Sequence, residues 1–537
     1  MSQETESTGF GATPWLIGLM TAATGIWFWR AASDPLSIAL LQAEDHGGVA
    51  WIRLGLGLVV IGCIPVALLV RRQEIRDWIL LPAVLALWWA ALDRIFNSLD
   101  TDELMHLHSA WLDYDGLTPT IDYWHPWQLL PLLLLRPVFW LSGDNVQVLV
   151  LLAKLGMLAC LVGGLWLSVQ LVEHFGGDRW GALILPLCCP TLMSTTGEFR
   201  PDPPATLACL AALYLLVKER PWLAGLAVGL GYACSQKAVF FGFAVGMGGV
   251  IAGLPLGTLV RFAGACLLAS PFNLLYAAAR GIVGDYWYWS HRYAASYVDT
   301  SHGNELAWTQ THTAWMFGHE LTNNPLFYLW ALLGLGYLLG VRQNLYLPGA
   351  VATMFWYTIH FRVGYGYYCM YLFWLLALLG AVAVGRLRQS DPDLGRRAVV
   401  VCLLLLSATH LLAWAAEPPT GLTDLLGASR SSLARVGPDQ FYYGEETGGK
   451  FAHPVFRRDS SYFPYCQSVT SNVLGERRAG PYPPMEPPLP DRPPTVMVIP
   501  DSRAEELLAP LRGAGLEYER QANMWVSRPT RKERSQP

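Results

Sequence analysis

Charge is what this sequence has least of. Only 15% of its 537 residues are Asp, Glu, Lys or Arg, where a soluble domain carries roughly 25%. That shortfall argues against an ordinary soluble enzyme. Nor is there an excess of positive charge: the net charge of −4 speaks against a nucleic-acid partner. Cysteines in polar sequence are scarce too. Cys63, Cys160, Cys188, Cys189, Cys209, Cys234, Cys266, Cys369 and Cys402 lie in or beside apolar runs, and only Cys466 lies in a polar tail. No disulfide framework is therefore expected, and Cys188–Cys189 reads as two small packing residues rather than a metal site. No segment recurs at a fixed period, so a paired-repeat transporter gains no support. Residues 1–12 lack a basic n-region, and the first apolar run, Trp15–Trp29, reads as a retained helix rather than a cleaved leader.

What the chain has instead is long apolar runs, at 53% hydrophobic residues overall. A run of about 18 or more apolar residues spans a bilayer as a helix, because ~20 residues at ~1.5 Å rise cross a ~30 Å hydrocarbon core. A helix satisfies its own backbone polar groups there. The runs place membrane helices near 13–30, 52–70, 77–97, 145–174, 180–197, 203–217, 222–236, 238–254, 259–279, 325–341, 346–360, 368–385 and 398–415. Segment 129–142 is apolar but short and is interrupted by Arg136–Pro137, so it reads as interfacial or re-entrant. The many Trp and Tyr, 23 of each, suit membrane interfaces.

Short basic loops carrying Arg71, Arg72, Arg76, Arg179, Lys218, Arg220, Arg261, Arg342, Arg386, Arg388, Arg396 and Arg397 alternate with longer acidic, aromatic ones at 98–144, 198–202, 280–324 and 361–367. The positive-inside rule makes the first set cytoplasmic and the second external, on the periplasmic face in a Gram-negative cell. Arg30 and the acidic N-terminal dozen run against this rule for the first helix. The fold class expected is an all-α polytopic inner-membrane or plasma-membrane protein of about thirteen transmembrane helices. Interfacial helices belong in its first large external loop, and a small external α/β subdomain at its C-terminus. Residues 1–76 form an N-terminal two-helix extension, 77–415 the core with the loop 98–144, and 416–537 an external region. That last region has a Pro-rich linker at 479–495, a strand at 495–501, a helix after it and a closing strand in YERQANMWVSR.

The concentrated polar groups all fall on the external side, and ionisable residues beside a membrane are functional candidates by default. Asp102–Glu103 follows the end of a helix. As a general base, Asp102 would take a proton from an attacking hydroxyl; as a plain cap, it would start a helix through 103–113. His106, four residues on, shares its face. Asp102 and His106 form the one candidate pair for a divalent cation, but the spacing falls short of a closed ligand set, so no cofactor is expected. His108 reads as interfacial. Arg200, in Glu198-Phe199-Arg200-Pro201-Asp202, either grips a phosphate oxygen or staples its turn to Asp202 or Glu198. Lys237, after Gln236, either meets a lipid phosphate or snorkels. Arg362 stands among Tyr365, Tyr367, Tyr368 and Tyr371, a set that an aromatic belt also explains.

In their order along the chain these pieces resemble the C-type-fold membrane glycosyltransferases, which use polyprenyl-phosphate-linked sugars. That group includes protein mannosyltransferases, aminoarabinose transferases and rhizobial galacturonosyltransferase-like proteins. The likeness runs over about 77–385. It is carried by Asp102–Glu103, by Gly116-Leu117-Thr118-Pro119-x-x-Asp122, by His125–Pro126, by Arg200-Pro201-Asp202, by Gln236–Lys237 and by the Tyr-rich turn at 362–371. Thr120 after Pro119, and Trp127–Gln128 after His125–Pro126, depart from the family pattern. The resemblance implies an inverting displacement at the anomeric carbon on the external face. Asp102 and Glu103 would be catalytic, Arg200, Lys237 and Arg362 would hold the donor phosphate, and Asp122, His125, Asp202, Gln236, Tyr365, Tyr367 and Tyr368 would contact substrate. The partners implied are a polyprenyl-phosphate-linked sugar, an envelope lipid, glycan or protein acceptor, and membrane lipids. Two other classes stay open: a transporter or flippase for a lipid-linked or anionic solute, and a non-catalytic envelope assembly protein.

Overall fold

The computed structural model describes residues 48–70, 72–97, 101–123, 125–293, 321, 324–341, 345–360, 368–391, 393–417, 441–444, 458–459, 494–498, 501–513, 516–521 and 524–527. The expected first helix, 13–30, lies outside them. The helices are α1 (Gly48–Leu69), α2 (Gln73–Trp78), α3 (Leu80–Asn97), α4 (Thr101–Tyr114), α5 (Leu130–Ser142), α6 (Val146–His174), α7 (Arg179–Leu187), α8 (Pro190–Gly197) and α9 (Asp202–Val217). Then follow α10 (Pro221–Cys234), α11 (Ala238–Ile251), α12 (Leu256–Ala269), α13 (Phe272–Ala279), α14 (Val283–Trp287) with a π-helical turn at Tyr288–Tyr293, α15 (Pro325–Val341), α16 (Tyr346–His360), α17 (Met370–Ser390) and α18 (Leu394–Ala415).

The protein is an integral membrane protein of largely helical build. Among the described residues six helical stretches are long and apolar enough to cross a membrane, and shorter apolar helices stand beside them. Every expected range that falls on described residues is helical. Two of them are broken. The 180–197 range is α7 and α8 end to end, because Pro190 has no N–H and forces Cys189 out of the helical region to φ −98°, ψ 104°. The freed Cys188 carbonyl accepts a 2.6 Å hydrogen bond from Asn324 Nδ2. The 259–279 range breaks at Ser270–Pro271 between α12 and α13. Cys188 and Cys189 are both fully buried.

Local chemistry starts the helices where it should. Asn145 caps α6 by accepting from Gln147 N and Val148 N at 3.0 and 3.2 Å, and Asp178 caps α7 at Trp180 N and Gly181 N. Small residues let backbones meet. A Cβ on Gly225 of α10 would stand 2.2 Å from Phe262 O of α12, and one on Gly334 of α15 would stand 1.9 Å from Leu379 O of α17. The most enclosed spans are α17 and α18, while α1 packs on α18.

The helices have two polar ends. At one, Arg388 pairs with both Asp77 and Asp178, and Arg396 Nη2 lies 3.4 Å from Asp77. The other carries α4 and α5. There Asp113, fully buried, accepts from Arg136 Nη2 at 2.9 Å and Tyr276 Oη at 2.8 Å, which ties α5 to α4 and α13. Asn273 Oδ1 accepts from Leu129 N and Leu130 N at 3.2 and 3.0 Å and so caps α5 from a distance in sequence. At the same end α1 is fastened to the core: Arg53 of α1 bonds Asp93 of α3 at 2.6 Å, and Trp414 of α18 donates to the same carboxylate at 3.0 Å.

The C-terminal sheet has strands β1 (Phe441–Gly444), β2 (Arg458–Asp459), β3 (Pro494–Val498), β4 (Tyr518–Gln521) and β5 (Met524–Ser527) in the order β2-β1-β3-β5-β4. The β1–β2 and β1–β3 pairs are parallel; β3–β5 and β5–β4 are antiparallel. Helix α19 (Asp501–Gly513) follows β3 and buries Leu508 and Leu511. The α/β expectation holds with two corrections. The closing segment is two antiparallel strands rather than one, with Gln521 paired to Met524. Linker residues 494–495 are already strand, since Pro494 is the first residue of β3, where a missing N–H is tolerated. The remainder of that linker lies outside the described residues.

Candidate active site

Helix α4 opens with Asp102 and Glu103 in its first turn, where carboxylates favour the positive end of the helix dipole. The helix starts at Thr101, so Asp102 is a first-turn residue rather than the cap itself. The two carboxylates point into different environments. Asp102 keeps 35% of its side-chain surface and lies 2.7 Å from Arg200 Nη1. Glu103 is wholly buried. Its Oε1 accepts from Lys154 Nζ and from the Phe199 backbone N–H. So enclosed a carboxylate presents no face to an acceptor, and of the roles expected of Glu103 its burial behind Asp102 suits orientation rather than acceptor contact.

Arg200 is buried in the turn between α8 and α9 and pairs with two carboxylates, Asp102 and Glu198, the latter at 2.5 Å. The alternative of an Arg200–Asp202 staple is not what forms. Asp202 is 3% exposed and belongs to Lys237, whose Nζ donates to Oδ1 at 2.8 Å, with Ser235 Oγ donating to the same oxygen at 3.1 Å. Lys237 Nζ also sits 4.1 Å from the centre of the Tyr368 ring. Lys237 is thus directed inward and does not snorkel. Burial pulls its pKa down, and the Asp202 carboxylate opposes that pull.

The 123–129 loop closes the side of the site. Gln236 Nε2 donates to Pro126 O at 3.1 Å and to Ser290 O at 2.9 Å, while Ser290 Oγ donates to Trp127 O at 3.1 Å. The indole of Trp127 meets His106 edge-on at 4.8 Å and His125 at 5.4 Å. Burial, then the charges of Arg200, His125 and Lys237, push His106 well below the usual histidine pKa. Burial takes His125 down to about 4, against the raising effect of its hydrogen bond to the Gln128 carbonyl and of the Asp113 charge. Both rings are neutral at physiological pH. Among the described residues no group of three or more His, Cys, Asp or Glu side chains is placed to hold a metal.

Asp102, Arg200, Asp202, Lys237 and Tyr368 are thus brought together, with Gln236 and His125 positioning and flanking them. Asp122 is not: its Oδ2 accepts from Thr118 N at 2.7 Å and closes its own turn, in which Thr120 adopts φ +66°. Arg362, Tyr365 and Tyr367 lie outside the described residues. His108, expected at an interface, is fully buried and stacks on Trp111. Three residues of the cluster stood outside the expected set: Glu198, Trp127 and Lys154. The signal for Lys154 was present, a lone lysine in the apolar run LVLLAKLGML, and the reading of 145–174 as one continuous span passed over it.

The family model described as alpha-(1->6)-mannopyranosyltransferase, N-terminal domain, matches residues 125–251. Among solved structures, ArnT from Cupriavidus metallidurans in the apo state is similar at TM-score 0.57 and 12% identity, over 84% of this chain and 98% of that one. The same protein bound to undecaprenyl phosphate is similar at TM-score 0.55 and 12% identity, with the same coverage. No curated protein matches the sequence. The fold is the C-type membrane glycosyltransferase fold, and the resemblance read from the order of motifs holds at that level.

Proposed function

We propose that this protein moves a sugar from a polyprenyl-phosphate donor to an envelope acceptor on the external face of the membrane. The observation that carries the reading is the half-exposed Asp102 carboxylate, held 2.7 Å from Arg200 with Lys237 nearby. Arg200 is shared between Asp102 and Glu198. A donor phosphate competes for that guanidinium, whose planar fork suits phosphate oxygens, and its arrival releases Asp102. The acceptor oxygen then attacks the anomeric carbon, and its proton passes to Asp102. The carbon–oxygen bond to phosphate breaks, the electron pair leaves with polyprenyl phosphate, and the configuration inverts. Arg200 and Lys237, with Arg362 by the family resemblance, stabilise the growing phosphate charge. Tyr368, beside the Lys237 ammonium, helps to fix its position. Neutral His106 and His125 flank Trp127, whose ring suits a sugar face, and add no charge to the pocket.

The matched family's description makes mannose the first donor sugar to try. ArnT bound to undecaprenyl phosphate supports a lipid phosphate carrier. Asp102, Arg200, Asp202 and Lys237 gather at one end of the helices, unlike the mid-membrane sites on broken helices expected of a transporter. Replacing Asp102 with Asn should lower transfer at least ~100-fold, the usual worth of a general base, with folding and lipid binding intact. Full transfer by that variant sinks Asp102 as the base. Mass spectrometry of envelope glycolipids and glycoproteins from a deletion strain would name sugar and acceptor together.

A further inference from the structure

Lys154 is the one charged residue of α6 between Val146 and Val172, and it is 1% exposed. Eight residues into the helix, it sits ~12 Å along the axis from Val146. Its ammonium group has two partners, the carboxylate of Glu103 and the carbonyl of Gly197 at 3.0 Å. Glu103 in turn accepts from Phe199 N. Three separate pieces of chain therefore meet at one buried pair: the first turn of α4, the first third of α6, and the turn from Gly197 to Phe199. Each lies next to an active-site partner. Glu103 adjoins Asp102, and Phe199 adjoins Arg200.

A buried ion pair adds little net stability over an apolar pair of the same volume. What it supplies here is direction. The Gly197 carbonyl belongs to the last turn of α8 and has no helical partner; Lys154 fills that vacancy and binds Glu103 at the same time. We propose that Lys154 is a positioning residue: by bridging Glu103 and Gly197 it fixes the start of α4 against the 197–200 turn, and so sets the distance and angle between Asp102 and Arg200. This rests on the reading of Asp102 as base and Arg200 as phosphate ligand. Lys154 does not touch substrate. Its effect falls on the reacting geometry, where a displacement of about 1 Å costs on the order of 100-fold in rate.

The test uses the full-length protein in detergent or liposomes, with polyprenyl-phosphate mannose as the donor probe and undecaprenyl phosphate as the binding probe. Lys154→Met takes the ammonium partner from the buried Glu103 carboxylate, so it risks misfolding. The double variant Glu103→Gln/Lys154→Met removes both charges and keeps an acceptor for Phe199 N. In the double variant kcat should fall about 100-fold, while donor KM and undecaprenyl phosphate affinity stay within about 3-fold. A folded double variant with wild-type kcat overturns the proposal. So does a loss of undecaprenyl phosphate affinity as large as the loss of kcat, since that marks a general packing role. The underlying reading fails separately: a fully active Asp102→Asn variant removes the base, whereas an inactive Asp102→Asn beside a fully active double variant sinks only the role of Lys154.

Discussion

His125 shows how the pocket treats a titratable side chain. Its pKa in the folded protein is about 4 against an ordinary 6.5, so the unfolded chain binds the proton more tightly. Folding stability is then complete above pH about 6.5 and falls as the pH drops towards 4, by about 3 kcal/mol for this one ring. Thermal unfolding in detergent between pH 7 and 4 should show the slope, and His125→Gln should flatten it; an unchanged slope would mean that other groups carry the acid sensitivity. At this scale the sequence was informative about which residues matter. Asp102, Arg200 and Lys237 stood out because a charge beside an apolar run needs a reason. It was not informative about partners. Of the two staples weighed for Arg200 beside phosphate binding, the one to Glu198 forms and the one to Asp202 does not: Arg200 also takes Asp102, and Asp202 goes to Lys237. The Asp102 and Lys237 pairings each join separate helices, and no local spacing encodes them.

Helices were the most legible elements, because an apolar run of membrane length has one economical conformation. Their interruptions were less so. Pro190 and Pro271 were visible in the sequence, yet the partner of a freed backbone group was not: Asn324, which donates to the Cys188 carbonyl, lies far along the chain. Close crossings were also hidden, because a glycine at a helix contact looks the same as one facing lipid. The structure separates the two. Gly334→Ala would press a methyl against the Leu379 carbonyl, whereas a Cβ on Gly336 meets nothing within 4 Å. The first substitution should cost about 1–3 kcal/mol by overpacking, and the second should be neutral or slightly stabilising. Parallel thermal melts of the two variants test this, and equal melting points would refute the α15–α17 contact.

Across the whole molecule, charge sorts the two ends. Arg388, Arg396 and the Asp77–Asp178 pair hold one end, and the Asp102–Arg200 cluster occupies the other. The positive-inside rule predicts that the arginine-rich end faces the cytoplasm. In a cysteine-free background, Asp144→Cys should react with a membrane-impermeant maleimide added to intact cells, and Arg220→Cys should react only after lysis; the reverse pattern would invert the topology. Asp144 and Arg220 are both exposed, at opposite ends. The two-ended layout was legible from loop composition alone. The attachment of the extension was not, because the Arg53–Asp93–Trp414 contact joins α1, α3 and α18 and only the folded chain brings them together.

The buried lysine also bears on how the chain is made. A nascent α6 brings Lys154 into the bilayer as a charged group, at an insertion cost of roughly 2.5–3.5 kcal/mol near a helix centre. The long apolar run around it offsets that cost and carries the segment in. Its neutralising partner, Glu103, lies 51 residues earlier, on a loop that has left the ribosome before α6 enters. The lysine therefore waits for a carboxylate already made, and folding of the first loop onto the membrane becomes a step in the assembly of the spans rather than an event that follows it.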